Sequence, residues 1–99
     1  MSVPNVVSLT ARRALEWRRV YHRGGTEIGV ARARDLSNDR MPSPSTLARM
    51  RSYFQRHAVD AKALGFRRGE DGYPSAGRVA WDLWGGDAAV AWLRHLESS

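Results

Sequence analysis

The chain contains no cysteine. Disulfides, thiolate nucleophiles and cysteine-based zinc sites are therefore excluded. It has one lysine against fifteen arginines. No apolar run approaches the roughly 20 residues of a membrane span. The stretch MSVPNVVSLTARRALEWRR lacks the basic segment and apolar core of a secretory signal, so no membrane and a reducing, cytoplasmic setting are expected. Strand signals are missing too: nowhere do four or more β-branched or aromatic residues alternate cleanly with polar ones. The glycine pairs lack the Lys-Ser/Thr of a phosphate loop and the strand that precedes a dinucleotide fingerprint. His22, His57 and His95 lie on separate segments, outside any recognised metal pattern. Glu70 and Asp71 are neighbours on a loop, which reads as solvation, and no serine stands in a nucleophile elbow. No catalytic residue, metal or cofactor is expected.

Charge is what the sequence has in excess. The net is +6 over 99 residues, and its distribution is uneven. Residues 1–68 carry fourteen basic and five acidic groups, a net of +9; residues 69–99 carry two and five, a net of −3. A basic field confined to part of a fold suits a phosphate backbone. Arginine strengthens this, because its planar guanidinium makes bidentate contacts with phosphate and carboxylate. The alternative is a GC-rich genome that uses arginine codons freely on solvated helix faces. A chain this short makes one domain, and 42% hydrophobic residues are enough for a core.

Glycine, proline and serine divide the chain into short helices, giving an all-α compact bundle of about five with a C-terminal αα-hairpin. Residues 1–7 are expected to be flexible. The first helix spans about 8–22 with Ser8 as N-cap; Thr10, Ala14, Trp17 and Tyr21 make its apolar face, flanked by Leu9 and Val20. Arg12, Arg19 and Arg23 fall opposite, and Gly24-Gly25 end the helix. The second covers 26–38 with Thr26 as N-cap and with Ile28, Ala31 and Leu36 on its inner side. Ser43-Pro44 open the third, about 44–59, whose core stripe is Leu47, Met50, Phe54 and Ala58. Arg49, Ser52, Tyr53 and Arg56 gather on its other side, either as a nucleic-acid-facing stripe or as an ordinary solvated face. His57 borders its apolar side. Residues 60–74 read as a long loop anchored by Phe66, with Arg67 and Arg68 outward.

The segment GYPSAGRVAWDLWGGD holds two of the four tryptophans and four of the nine glycines. Pro74 and Ser75 start a fourth helix with the stripe Ala76, Val79, Ala80 and Leu83, leaving Arg78 and Asp82 outside it. Gly85-Gly86 make a tight turn, and Asp87 caps a fifth helix with Ala89, Trp92, Leu93 and Leu96 inward. A helix-hairpin-helix at this turn is opposed by Asp82 and Asp87, which would repel phosphate. Trp81 projects away from the stripe. Either the 60–74 loop buries it, or it is exposed as a contact for a partner.

The segments ARRALEWRRVYHRGGTEIGVARARDLSN, PSPSTLARMRSYFQRHAVD and GYPSAGRVAWDLWGGD, in this order and spacing, resemble a small domain encoded by tailed phages and prophages. That domain occurs alone or attached to head-assembly proteins such as prohead proteases. The likeness covers about residues 11–92. It implies a viral origin and no protease residues. Together, charge and resemblance point to a basic phage-type protein in the host cytoplasm, and possible packaging in the virion. Its expected partner is duplex DNA, bound mainly through phosphate with weak sequence preference. The expected contacts are Arg12, Arg19, Arg23, Arg32, Arg34, Arg49, Tyr53, Arg56, Arg67 and Arg68, with Asp35 placed to orient Arg32. The third helix would follow the second in a loose helix-turn-helix. The rival is a head-assembly accessory that holds a phage head protein through Trp81, or a small inhibitor of a host enzyme.

Overall fold

The computed structural model describes residues 2–98. They form helices α1 (Asn5–Tyr21), α2 (Glu27–Ser37), α3 (Pro44–His57), α4 (Ala76–Leu83) and α5 (Gly86–Ser98), with a 3₁₀ segment at Ala58–Lys62 after α3. No strand occurs among the described residues. A radius of gyration of 12.6 Å is that of a closely packed chain of this length. Among the described residues no helix is long and apolar enough to cross a membrane.

α1 starts at Asn5, before the expected cap at Ser8, because its first turn belongs to the core. Val3 and Val7 are buried, and the Pro4 carbonyl accepts from the Val7 and Ser8 amides. A flexible 1–7 therefore gives way to a packed segment from Val3 onward; Met1 lies outside the described residues. Asp39 Oδ1 accepts from the Val3 amide at 2.9 Å, which fastens this end to the α2–α3 connection. Ser8 is buried and donates from Oγ to the Leu36 carbonyl at 2.7 Å.

The inner face of α1 is Val7, Ser8, Ala11 and Ala14, which shares Ala14 with the expected stripe but is rotated towards Ala11. Tyr21, Leu9 and Val20 are about half exposed. Small alanines let α2 and α4 lie close on α1, so the bulky side chains remain at its flanks. α2 is rotated likewise. Gly29, Val30, Ala33 and Leu36 face inward, whereas Ile28 is 65% exposed and Ala31 is exposed. The glycine explains the rotation: a Cβ at Gly29 would stand 3.2 Å from Trp84 Nε1, so this is where α2 approaches α4.

The helix starts follow their caps. Thr26, Ser43 and Ser75 each accept the amide three residues on, from Gly29, Thr46 and Arg78. α4, eight residues long, is wedged between α1, α2, the 3₁₀ segment and α5. Val79 and Leu83 of the expected stripe are buried, but so are Trp81 and Asp82 outside it, while Ala76 is exposed. Gly85 and Gly86 take φ of +104° and +64°, a turn that most side chains resist. α5 buries Ala89, Trp92 and Leu93 as its pattern predicts.

Candidate nucleic-acid interface

The arginines fall into two kinds. The first kind is consumed inside the fold. Asp82 is fully buried, against expectation, and accepts from Arg13 at 2.9 Å; Arg78 Nε lies 3.2 Å from its other oxygen. Burial raises the Asp82 carboxyl above its ordinary pKa, and the two guanidinium groups oppose that rise. Arg12 donates to the Ser37 carbonyl at 3.0 Å, closing the end of α2. Arg23 donates to the carbonyls of Gly72 and Pro74, at 3.0 and 2.9 Å, and so ties the 63–75 segment to the end of α1. Arg19 pairs with Glu16, Arg18 with Glu27 and Arg51 with Glu97. Arg32, with a side chain only 13% exposed, lies beside Asp35 at 3.7 Å and over the Trp84 ring at 5.6 Å. Asp35 does flank Arg32 as expected, and Arg40 as well, at 3.8 Å.

These assignments remove Arg12, Arg19, Arg23 and Arg32 from the set of uncommitted cations that the sequence suggested. Tyr53 leaves the set as well. It is 5% exposed and stacks on Trp84 at 4.5 Å between ring centres, with an interplanar angle of 7°. The inner arc of α3 is Met50, Tyr53, Phe54 and the flank of His57, wider than the expected stripe; Ala58 is exposed where the helix tightens to 3₁₀. Trp81 is likewise no partner contact. It is 6% exposed, edge-on to Phe54 and Phe66, and its Nε1 donates to Asp87 at 3.0 Å. Phe66 comes from the 60–74 segment, so that segment covers Trp81.

The second kind comprises Arg34, Arg49, Arg56, Arg67, Arg68 and Arg94. All are exposed, and none pairs with a carboxylate among the described residues. Of these, Arg49 and Arg56 share one concavity, while Arg94 lines another, between α3 and α5, beside the Arg51–Glu97 pair. α2 and α3 scarcely touch each other, which corrects the helix-turn-helix expectation: α3 packs instead on α5 and the 3₁₀ segment, and residues 38–43 are too long for the tight turn of that motif. Between α2 and α3 an open groove of about 710 Å³ remains. Tyr53, Ala80 and Trp84 line it, as do Thr26, the N-cap of α2, and Ile28 in its first turn. Arg49, Ser52, Arg56 and His57 enter from α3, and Asp60 joins them.

The spacing on α3 is regular. Ser45, Arg49, Ser52 and Arg56 stand at i, i+4, i+7 and i+11 and are all exposed. Arg49 and Arg56 are two turns apart, about 10.5 Å along the axis. The only acid in the groove, Asp60, is engaged by His57 Nδ1 at 3.2 Å. The Tyr53 hydroxyl is buried with no hydrogen-bond partner; burial first, then the charges of Asp60 and Asp82, push its pKa above the ordinary phenol value.

Sequence reasoning found Arg49 and Arg56 and missed the opposite wall. Periodicity places Ile28 on the inner side of α2 and His57 beside the apolar face of α3, and gives neither a place in a groove. Gly29 was the available signal, since a glycine amid Val30, Ala33 and Leu36 marks a close helix contact and turns Ile28 outward. The chain matches no protein-family model, no curated protein and no solved structure, so the phage-type origin remains an expectation of the sequence and the groove's chemistry rests on its own geometry.

Proposed function

We propose that the protein binds nucleic acid through phosphate contacts made by the outer face of α3, with little sequence preference. The observation that carries this reading is the pair of unpaired guanidinium groups, Arg49 and Arg56, on one helix face with Ser45 and Ser52 between and beside them. Guanidinium and hydroxyl groups are the side chains that most often meet phosphate oxygens. Two turns apart on one helix face, they can reach separate phosphates of one strand. The start of α2 adds the positive end of a helix dipole to the same groove, partly offset by Glu27 in its first turn.

The interface is narrower than composition suggests. Seven arginines are within ion-pair distance of carboxylates, so net charge overstates the available cation field. A head-assembly role through Trp81 loses its anchor, since that ring is buried. Titration with duplex and with single-stranded DNA at two salt concentrations tests the proposal. Two phosphate contacts give a log–log slope of about −1.8 on a duplex, at about −0.9 per phosphate, and about −1.4 on a single strand, at about −0.7 per phosphate. Absence of binding to both at low salt refutes it.

A further inference from the structure

The groove holds more than cations. Four side chains make a column through its floor. Arg32 lies over the Trp84 ring at 5.6 Å, Trp84 stacks on Tyr53 at 4.5 Å, and Tyr53 stacks on His57 at 4.4 Å with a 25° interplanar angle. The column is closed at the Trp84 end by the guanidinium of Arg32. At the other end stands His57, which lines the groove with a side chain 42% exposed. Its one hydrogen bond, from Nδ1 to Asp60, uses the edge of the ring. Tyr53 covers one of its faces, and among the described residues no further ring stacks on it.

We propose that the groove takes a single-stranded nucleic acid, with one unstacked base added to the column on His57 and the flanking phosphates held by Arg49 and Arg56. This rests on the phosphate reading and sharpens it. A flat heteroaromatic ring is what extends such a stack, and bases in a duplex are already stacked on one another, whereas a single strand can turn one out. A groove of about 710 Å³ has room for a nucleotide or two. The buried Tyr53 hydroxyl, which has no partner within the protein, is an added polar group at the floor.

The test compares three probes at one salt concentration: short oligothymidylate, the same strand with all bases removed, and a duplex of equal length. Base stacking on an aromatic side chain contributes about 1–3 kcal/mol, so the base-bearing strand is expected to bind about 5- to 150-fold more tightly than the abasic one. His57→Ala is expected to abolish that difference and His57→Phe to restore it. Ring protons of His57 are expected to shift upfield in the NMR spectrum only with the base-bearing strand. Equal binding of base-bearing and abasic strands, or a preference untouched by His57→Ala, overturns the stacking proposal and leaves the phosphate reading standing. No binding of any of the three overturns both.

Discussion

Arg13 and Arg78 face a buried carboxylate, whereas Arg49 and Arg56 face an open groove. All four carry the same group, and the fold treats them oppositely. On the α1–α4 side, Asp82 is removed from water and can remain there only because two guanidinium groups approach it. On the α3 side neither Arg49 nor Arg56 pairs with a carboxylate among the described residues, and Asp60 of the same groove is engaged by His57. Bulk charge therefore says little about binding; what matters is which cations the fold has left uncommitted.

The contrast can be broken from its structural side first. Trp81→Ala removes a ring that meets Phe54, Phe66 and Tyr53, together with its bond to Asp87. A loss of about 3–5 kcal/mol in denaturant unfolding is expected. A near-neutral result would mean that the ring is not packed as described. Asp82→Ala leaves Arg78 confined without its carboxylate, and a cost of about 3 kcal/mol is expected, with the cost held at the low end of the range because Arg13 is half exposed and can return to water. Gly24→Ala places a Cβ 2.6 Å from the Val79 Cβ at a φ of +93°, so more than about 1 kcal/mol should be lost. Arg49→Ala with Arg56→Ala is expected to change stability by no more than about 0.5 kcal/mol, since neither is tied to the fold. A large destabilisation by that pair would erase the distinction between the two regions.

Which parts of this were legible in the sequence follows from how far apart the cooperating residues lie. Caps are local, and Thr26, Ser43 and Ser75 all start helices as their neighbours predict. The α5 stripe is long and one-sided, so its period reports its inner face. α4 defeats periodicity because helices approach it from several sides at once. In α1 and α2 the inner face follows Ala11, Ala14 and Gly29 and not the large apolar residues, because small residues are what permits close helix approach. The candidate site divides the same way. Arg49 and Arg56 share a helix face that seven-residue spacing reveals. That Arg13 is neutralised by Asp82, 69 positions away, or that Ile28 turns out to meet α3 across a groove, depends on tertiary packing that no local pattern records.

The central claim is that position, and not total charge, makes the interface. The most direct measurement is the salt dependence of DNA binding for two double variants of equal net charge, Arg49→Ala/Arg56→Ala and Arg34→Ala/Arg68→Ala. The account predicts that the first flattens the log–log slope by about 1.8 on a duplex, or about 1.4 on a single strand, while the second leaves it nearly unchanged. Equal flattening by both would show that binding is a diffuse response to charge and that the groove has no special part in it.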